Sequence, residues 1–481
     1  MQQPSLFWHD YETFGADPRR DRPAQFAGLR TDPDLNPIGS PVCFFCRPAS
    51  DVLPHPDACL LTGITPQQAT REGIAEPEFA ARVHEQLAAP GTCGVGWNSI
   101  RFDDEFTRQL LYRNFHDPYA REWRNGNSRW DLIDLARMAY ALRPQGLEWP
   151  RREDGAPSFK LEHLARANGF EPRQAHDALS DVESLLGLAR RLKAAQPRLW
   201  DWYYTLRNKR TVLGLLDVAQ MTPLLHISQR YPAERGCLAV VAPIAMHPSQ
   251  PNAVIVADLD PDPETWSGLG ADELADRLFT ARADLPEGIE RAPLKLVHAN
   301  RSPALAPLSA LQNVDCARIG LDPNRALLHG ERLRGVAGLA ERVRDVYAHN
   351  THPTAEDPEL ALYAGFLDDR DRSQRDAVRT APPRALAALA AGFHDPRYHE
   401  LLFRYRARHY PETLDDAERV RWERFRRARL THVTPLTTLT LDDYFALIAA
   451  RRAVPEPRPA ALGVLDELEA WGRQMTAATA A

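Results

Sequence analysis

The sequence predicts an α/β domain with a mixed sheet, followed by a β-rich domain and a helical C-terminal domain. Three patterns indicate this order. Runs of strand length precede amphipathic runs of helix length in residues 1 to about 195, and short apolar runs bounded by Pro, Asn and Gly follow to about residue 350. Helical spacing of apolar residues then continues to the end. Because 481 residues exceed one ordinary hydrophobic core, several domains are expected.

In the first region the predicted strands come before the predicted helices, which is typical of a mixed sheet with helices on its faces. The strands are LFWHDYE, PVCFFCRP and TCGVGWN. The helices are RFDDEFTRQLLYRNF, WDLIDLARMAYAL, FKLEHLARANGF and HDALSDVESLLGLARRLKAA. In the last helix the apolar residues between Val182 and Leu192 form one stripe, and Asp177 is the expected N-cap.

The later regions differ from the first in their pattern. The second contains the short predicted strands LLHISQ, CLAVVAPIAMH, NAVIVADLD and LKLVHAN, and is expected to be mostly β. The polar, proline-containing segment 349–359 is expected to be a linker. The third region is expected to be helical, with ELLFRYRARHY, LDDAERVRWERFRRARL and LDDYFALIAARRA as examples.

Composition excludes several classes of protein. No apolar run approaches the ~18–20 residues of a membrane span, and the N-terminus lacks the features of a signal peptide, so we expect a cytoplasmic protein without membrane association. A net charge of −6 argues against attraction of nucleic acid to the whole surface, so any such contact needs a local basic groove. Six cysteines do not make a disulfide framework, and Cys43 and Cys46 are expected to pack in the core.

Two carboxylates share one face of the first predicted strand. Asp10 and Glu12 lie two positions apart in LFWHDYETFG, so their side chains point the same way and Tyr11 points to the other face. Unpaired anions at this spacing repel each other, and a divalent cation would remove the repulsion. Hard oxygen ligands suit Mg²⁺ or Mn²⁺. Such a pair alone can also be a solvated strand end, so the metal assignment depends on other residues.

Three further residues complete a candidate site. Asp103 stands where a predicted strand gives way to a helix in NSIRFDDEF, and His176 and Asp181 flank a helix start in HDALSD. Each has a simpler explanation when taken alone: a helix-capping acid, a structural histidine, and an acid favoured by the helix dipole. Asp104 is assigned to helix capping. Together, four carboxylates and a histidine match two-metal phosphodiester hydrolysis, with ions ~3.5–4 Å apart and a histidine as general base.

These motifs resemble the DEDDh 3′→5′ exonucleases. D-x-E comes first, then FD after N-x-x-R, then H-x-x-x-x-D after KLEHLARANGF. More narrowly, HDYETFG, DRPAQFAGLRTD, LTGITPQQA, NSIRFDDEFTRQLLYRNFHDPYAREW and SRWDLIDLARMAYALRPQG are similar to the bacterial exodeoxyribonuclease I family. TLRNKR, APIAMHPSQPNAVIVADL and LLFRYRARHYPETLDDAE extend the similarity into the later regions. It is weak in 259–292 and after about residue 431.

The resemblance implies an RNase H-like exonuclease domain at 1–196, an SH3-like domain at 197–350 and a helical C-terminal domain at 355–478. The implied activity is processive degradation of single-stranded DNA from its 3′ end to 5′-mononucleotides, in DNA repair and recombination. Two Mg²⁺ ions are the implied cofactor, with Mn²⁺ as the alternative. The implied metal ligands are Asp10, Glu12 and Asp181, while Asp103 would complete the acidic set and His176 would be the general base.

The resemblance also implies contacts to the DNA strand. Glu12 and Lys160 would touch the substrate; Lys160 stands where the family often has arginine, so the charge is kept but bidentate geometry is lost. The loop LTGIT at 61–65, with Gly63, would touch the terminal nucleotide. A second basic cluster either lines the same groove or is an ordinary solvated face, and it comprises Arg207, Lys209 and Arg210.

Residues 101–130 combine arginines with aromatic side chains, which suits the phosphates and bases of a single strand. Within this segment the resemblance points to Arg108, Tyr119 and Trp123 as strand contacts. Phe115 and Trp130 are expected to be core aromatics instead.

A partner and alternative functions follow from the same resemblance. The implied partner is the acidic C-terminal tail of a single-strand-binding protein, held in a basic pocket whose residues the sequence does not assign, and a monomer is expected. The later regions are expected to arch over the DNA and trap it. An RNA exonuclease or a proofreading subunit is the alternative within this chemistry, but the long extensions argue against it. The intact acidic set argues against a catalytically inert DNA-binding scaffold.

Overall fold

The computed structural model describes residues 4–170, 177–348, 355–454 and 459–480. The first elements are β1 (Ser5–Thr13), β2 (Pro23–Thr31), β3 (Val42–Phe45), α1 (Pro56–Thr62), α2 (Pro66–Glu72), α3 (Glu76–Ala88), β4 (Thr92–Gly96) and α4 (Asp103–Arg113). The three strands and the helix predicted in this part are confirmed. The pattern does not predict β2, because PAQFAGLRT shows neither apolar–polar alternation nor a continuous apolar run, although the strand is buried along nearly its whole length.

The chain continues with β5 (Ser128–Asp131), α5 (Leu132–Leu142), α6 (Leu161–Ala167), α7 (Ala178–Ala195), α8 (Pro197–Thr205) and α9 (Lys209–Leu215). The predicted helices at α5, α6 and α7 are confirmed. Trp130 and Asp131 belong to β5, and the Asp131 side chain accepts a hydrogen bond from the Ile133 backbone N–H, so the helix begins after them.

The second region contains both strands and helices. Its elements are β6 (Leu224–Ile227), β7 (Leu238–Met246), β8 (Ala253–Asp258), α10 (Ala271–Phe279), β9 (Leu294–His298), β10 (Ala304–Pro307), α11 (Pro323–Arg334) and α12 (Leu339–Ala348). The four predicted strands are confirmed and form one antiparallel sheet with β10, in the order β10-β6-β7-β8-β9. The expectation of a mostly β region is incomplete, since the helices α8 to α12 also lie in the described part of residues 197–350.

The third region is helical, as predicted. Its helices are α13 (Asp369–Thr380), α14 (Leu386–Leu389), α15 (Pro396–His409), α16 (Asp416–Thr431), α17 (Leu441–Arg452) and α18 (Pro459–Ala480). Part of the predicted linker, residues 349–354, lies outside the described residues. Among the helices that the structure describes, none is both long and apolar enough to cross a membrane.

The chain divides into two compact units that are not continuous in sequence. Unit 1 comprises residues 1–128, 172–183 and 353–481, and unit 2 comprises residues 129–171 and 184–352. Four strands of unit 1 lie in the order β3-β2-β1-β4, with β1 antiparallel to β2 and parallel to β4, so the predicted mixed sheet is confirmed. The Phe7 ring lies against Gly28 of β2, where a Cβ atom would meet it at 2.3 Å, so this position needs glycine.

The edge strand of this sheet corrects one expectation. Cys46 is buried, as predicted, but Cys43 is exposed because β3 has a neighbour on one side only. Both cysteines are free thiols.

In unit 1 the C-terminal helices share hydrophobic cores with the N-terminal segment. One cluster joins Phe14, Leu53 and Ile64 to side chains of α17 and α18 such as Tyr444 and Leu468. A second cluster joins aromatic side chains at the end of α4 to α15 and its neighbours, and includes Tyr112, Phe115, Leu362, Phe393, Tyr398 and Tyr405. The helical region is therefore built into unit 1.

Buried ion pairs reinforce the same junction. Asp51 accepts hydrogen bonds from the guanidinium groups of Arg408 and Arg429, each at 2.7 Å. Glu359 pairs with Arg22 at 3.0 Å and with Arg408 at 2.6 Å. All of these side chains are almost fully buried, so each charge depends on its partners for compensation.

Candidate active site

β1 carries Asp10 and Glu12 on one face, next to the point where its neighbour β4 ends. The parallel pairing with β4 stops at Trp8, opposite Val95. The antiparallel pairing with β2 continues beyond that point and places Glu12 opposite Gln25. The two acids thus extend past the last β4 pairing while their strand is still held by β2.

Asp103 is fixed beside them by a bond to the strand itself. Its Oδ1 accepts a hydrogen bond from the Tyr11 backbone N–H at 3.2 Å. The Asp103 carbonyl accepts from the Thr107 hydroxyl at 2.8 Å, and that hydroxyl lies 3.0 Å from the Tyr11 phenol oxygen. The first turn of α4 is therefore tied to both the backbone and a side chain of β1, and Asp103 is buried.

α7 brings the fourth carboxylate. Asp177 caps this helix as predicted, because its Oδ2 accepts from the Ser180 N–H at 3.1 Å and its carbonyl accepts from the Asp181 N–H at 3.0 Å. Asp10, Glu12 and Asp181 each offer a carboxylate oxygen, and these oxygens all lie within 4.8 Å of one another. Two neighbouring acids of β1 and one distant acid of α7 thus converge on one point.

Burial and mutual repulsion perturb these acids strongly. Burial, followed by the charges of Asp103, Glu12 and Asp181, raises the pKa of Asp10 well above its ordinary value. Burial, followed by Asp181, Asp103 and Asp177, raises the pKa of Glu12 to about 9. A buried group of like charges is costly to ionise without a counter-ion. Clustered carboxylate oxygens of this kind fit a divalent cation such as Mg²⁺ or Mn²⁺.

The predicted general base lies outside the part of the chain described. His176 falls in residues 171–176, and the described backbone resumes at Asp177.

A second group of potential ligands has a structural explanation. Asp368, Asp371 and His394 also bring ligand atoms within 4.8 Å of one another. Both oxygens of Asp371 already accept backbone N–H groups, from His394 at 2.7 Å and from Asp395 at 2.9 Å. Asp371 therefore fastens the loop before α15 to α13.

Much of the arginine-rich segment proves to be internal. Arg121 is buried and donates to Asp104 at 2.5 Å. The assignment of Asp104 to helix capping is therefore corrected: it lies in the first turn of α4, whose N-cap is Phe102, and its carboxylate forms a buried ion pair. Arg113 is buried against Glu76 at 2.8 Å. Both arginines belong to the segment expected to bind the strand, but the acids that neutralise them are 17 and 37 residues away. Phe115 is fully buried, as is Trp130 in unit 2, as predicted.

Arg108 is also neutralised by acids. Its Nε and Nη2 donate to the two oxygens of Glu122 at 2.7 and 2.8 Å, and its Nη1 donates to Glu105 at 2.7 Å. The guanidinium lies 5.6 Å from the centre of the Tyr119 ring. A phosphate at this position would have to share Arg108 with two carboxylates.

Four aromatic side chains of unit 1, which we call the aromatic surface, are partly or largely exposed: Tyr119, Trp123, Tyr363 and Phe366. Trp123 is 64% exposed and Phe366 is 86% exposed. The Phe366 ring stands edge-on to Tyr119 with centroids 5.7 Å apart, and the Tyr363 hydroxyl lies 3.2 Å from Arg108. Tyr363 and Phe366 are not predicted from the sequence, because they are more than 240 residues away from Tyr119 along the chain. The segment LYAGF, in which two bulky aromatic residues flank a glycine, is the sequence signal that could have indicated them.

The predicted terminal-nucleotide loop joins two short helices. Gly63 ends α1 with φ of 74°, a left-handed conformation that favours glycine. Thr65 caps α2 through a hydrogen bond from the Gln68 N–H at 3.2 Å. Between these caps the backbone turns tightly, and the preceding Leu61 is 60% exposed.

The remaining predicted DNA-binding residues belong to unit 2. Lys160 is exposed at the start of α6, 3.7 Å from a Glu162 oxygen. Lys209 donates to the Asn252 side chain at 3.0 Å. Arg207 stacks over the Tyr204 ring, 3.3 Å from its centre, and Arg210 is exposed.

Three family models cover nearly the whole chain: Exonuclease at residues 7–189, Exonuclease I SH3-like domain at 207–349, and Exonuclease I C-terminal domain at 356–475. Exodeoxyribonuclease I of Escherichia coli strain K12 is 47% identical over 431 residues, which are 89% of this chain and 90% of that protein. Exodeoxyribonuclease I of Haemophilus influenzae is 44% identical over 428 residues, with the same shares covered.

Solved structures give the same result. An exonuclease I of the moderate thermophile Methylocaldum szegediense matches with a TM-score of 0.94 and 49% identity, covering 98% of this chain and 99% of that one. A zinc-bound complex of E. coli exonuclease I with single-stranded DNA matches with a TM-score of 0.92 and 43% identity, covering 99% of this chain and 100% of that one. A single-strand-binding protein/exonuclease I structure with an inhibitor matches with a TM-score of 0.90 and 42% identity, covering 98% of this chain and 100% of that one. The chain belongs to the exodeoxyribonuclease I family, with an RNase H-like exonuclease domain followed by SH3-like and helical C-terminal domains.

Proposed function

We propose that this chain is a processive 3′→5′ exonuclease that degrades single-stranded DNA to 5′-mononucleotides in DNA repair and recombination. One observation carries the proposal: carboxylate oxygens of Asp10, Glu12 and Asp181 lie within 4.8 Å of one another in a chain of this family. Enzymes of this kind are metal-dependent. We propose two Mg²⁺ ions for the site, with Mn²⁺ as the alternative.

Each residue of the site then has a role in hydrolysis. Asp10, Glu12 and Asp181 would hold the cations, which when bound stabilise developing charge on the phosphodiester and make water a stronger nucleophile. Asp103 completes the acidic set and, through its bond to the Tyr11 N–H, keeps β1 and α4 in a fixed relation. Glu12 would also touch the substrate. His176 would take the proton of the attacking water.

The labelling pattern of the products tests this function. A 5′-labelled oligonucleotide should give a ladder that shortens from the 3′ end, while a 3′-labelled one should release labelled mononucleotide at once. EDTA should stop both reactions. Matched RNA should persist, whereas degradation of RNA at a similar rate would favour the RNA exonuclease alternative.

Processivity needs a separate measurement. The number of nucleotides released from each bound, labelled strand should not change when excess unlabelled DNA is added after binding. A distributive enzyme would instead release about one nucleotide per encounter.

We propose that the aromatic surface holds the bases of the strand. Each base stacked on an aromatic side chain contributes roughly 1–3 kcal/mol of binding. Leu61, before the turn at Gly63, offers an apolar contact for the terminal base. We retain Arg108 as a phosphate contact that is shared with Glu105 and Glu122, and Lys160 as a second phosphate contact.

Removing either exposed ring is expected to weaken DNA binding without unfolding the protein. For Trp123→Ala and Phe366→Ala we expect the Kd for a single-stranded oligonucleotide to rise about 5- to 100-fold. Fluorescence anisotropy in EDTA measures this without cleavage. Val433→Ala removes an exposed apolar side chain elsewhere in unit 1 and should leave the Kd unchanged. Wild-type Kd values for both ring variants would exclude the aromatic surface from strand binding.

We propose that the acidic C-terminal tail of a single-strand-binding protein docks in a pocket of unit 2. The pocket has a volume of about 440 Å³ and is lined by Leu142, Arg143, Gln196, Pro197, Arg198, Leu199, Trp202, Ala306, Pro307, Ser309 and Ala310. Most of its lining is apolar, and two arginines lie on it. An acidic peptide with an apolar side chain fits both properties, since its carboxylates can pair with guanidinium groups.

Charge reversal in the pocket tests this partner. Arg143→Glu should weaken binding of a labelled tail peptide at least about tenfold, a change of about 1.4 kcal/mol. Arg230→Glu reverses an exposed charge of unit 2 outside the pocket and should have little effect. Hydrolysis of a short oligonucleotide should be normal in both variants. Equal peptide affinity for wild type and Arg143→Glu would place the tail elsewhere.

We propose that the enzyme acts as a monomer in the cytoplasm. All four candidate carboxylates come from one chain. Light scattering of the purified protein at several concentrations should give the mass of one 54.1 kDa chain.

A further inference from the structure

We propose that Gln25 is a positioning residue for the catalytic carboxylates, because it fastens the start of α7 to the strand that pairs with Glu12. The inference rests on the proposed metal-dependent hydrolysis at this site. In this role Gln25 contacts neither DNA nor metal.

Gln25 is the direct neighbour of Glu12 across the sheet. The two residues are opposite each other in the antiparallel pairing of β1 and β2. Residues paired in this way project to the same face with Cβ atoms about 4.5–5.5 Å apart. Gln25 is only 3% exposed. Its amide therefore needs protein partners for both its donor and its acceptor atoms.

The Gln25 amide takes part in three hydrogen bonds that reach two other elements. Its Nε2 donates to Asp177 Oδ1 at 3.3 Å and to Cys43 Sγ at 3.4 Å. Its Oε1 accepts from the Ala178 backbone N–H at 3.2 Å. One side chain of β2 thus holds both the capping carboxylate and an end N–H group of α7, and also contacts edge strand β3.

The position of Asp181 depends on that attachment. The Asp177 carbonyl accepts from the Asp181 N–H at 3.0 Å, so the capping residue and the metal-ligand candidate lie in one helical turn. An Asp181 oxygen must lie near Asp10 and Glu12 for all three to hold the same cations. If the start of α7 separates from β2, Asp181 leaves the group.

Gln25 also helps to satisfy the carboxylate of the capping residue Asp177, which lies one helical turn before Asp181. One Asp177 oxygen is taken by Gln25 and the other by the Ser180 N–H. Glutamine suits this position because it donates to a carboxylate and accepts from an N–H group while adding no charge. Glutamate has the same length but cannot donate when it is ionised.

The test begins with Gln25→Glu. The new carboxylate faces that of Asp177 and should push α7 away from β2. Groups that orient metal ligands typically contribute 10- to 100-fold to metal affinity or activity. We therefore expect about 10- to 100-fold losses in Mn²⁺ affinity, measured by calorimetry without DNA, and in kcat. The KM for DNA should stay within about twofold of wild type, since no strand contact is removed.

A second substitution should restore the variant. When Gln25→Glu is combined with Asp177→Asn, the donor and the acceptor are exchanged: the new asparagine amide can donate to the new glutamate, which still accepts from the Ala178 N–H. Asparagine is also a good N-cap. The double variant should recover at least about tenfold of the lost Mn²⁺ affinity and kcat.

A matched control separates positioning from general stability. Gln374→Met removes a hydrogen bond of 2.7 Å to the Leu389 carbonyl in the helical region, and should lower Tm while leaving Mn²⁺ affinity and kcat at wild-type values. Gln25→Glu with wild-type Mn²⁺ affinity, or losses that the double variant does not relieve, would overturn the role of Gln25. Wild-type protein that neither binds Mn²⁺ nor degrades DNA would instead refute the proposed function.

Discussion

Replacing Asp10 by Asn is expected to lower kcat at least about 10³-fold, because a metal ligand that is lost from a two-metal site removes several kcal/mol of transition-state stabilisation and each ~1.36 kcal/mol is a factor of ten. Asp181→Asn should behave alike, since its oxygen belongs to the same group. Single-turnover cleavage of a labelled oligonucleotide in saturating Mg²⁺ measures the loss.

The same substitution should not harm the fold. The raised pKa of Asp10 reflects burial and repulsion by three neighbouring carboxylates, so the charge is unfavourable in the metal-free protein. The Tm of Asp10→Asn in EDTA should therefore equal or exceed that of wild type. Asp416→Asn changes an exposed acid and should keep full activity. Normal turnover by Asp10→Asn, or loss of activity together with a large drop in Tm, would contradict the assignment.

Replacing Asp51 by Ala is expected to destabilise unit 1 by about 3–5 kcal/mol, the usual result of leaving buried charges without their partner. Asp51 is completely buried and binds both Arg408 and Arg429. Thermal unfolding should show a Tm lower by about 6–10 °C, at roughly 2 °C per kcal/mol for a unit of this size. Asp57→Ala removes an acid that pairs with Arg451 at the surface, and should cost about 0–1 kcal/mol.

The ion pairs also predict an acid-sensitive fold. Burial opposes the ionisation of Asp51 and Glu359, but the surrounding arginines outweigh it and hold the pKa of each acid well below its ordinary value; the pKa of Glu76 is lowered to about 2 in the same way. When the pKa of an acid is lower in the folded protein, the stabilisation is fully present above the pKa of the unfolded protein, near ~4. It is lost as the pH falls through the pKa of the folded protein. Asp51→Ala should flatten the fall of Tm below about pH 4. A Tm near that of wild type at neutral pH would show that Asp51 is dispensable.

This junction limits which variants can test the helical region. Truncation before residue 355 would expose Phe14, Leu53 and Ile64, and would leave Asp51 without Arg408 and Arg429. The truncated protein would unfold, so a change in its processivity would not show what the helical region does to the DNA. Point variants on the aromatic surface are therefore the cleaner tests of strand retention.

Residue identity and spacing predicted that Asp10, Glu12 and Asp181 share one site, and their carboxylate oxygens lie within 4.8 Å of one another. Asp10 and Glu12 follow from the two-residue period of a strand, and Asp103 and Asp181 from their places at the starts of helices. Most strands and helices were also predictable, because a local pattern of apolar residues specifies them. β2 was missed because PAQFAGLRT mixes small, polar and charged residues without strand alternation or a continuous apolar run, and Gln25 was missed with it.

The sequence by itself determined the identity of the acids, the order of the elements and the family resemblance, since each is carried by short motifs of neighbouring residues. Only the tertiary structure decided which carboxylates meet and which arginines remain for DNA. The sequence suggests a basic groove that includes Arg108, Arg113 and Arg121, yet each of these arginines pairs with a buried or half-buried acid. Electrostatic partners are chosen by distance in space, and Asp51 lies 357 residues from Arg408 in the chain.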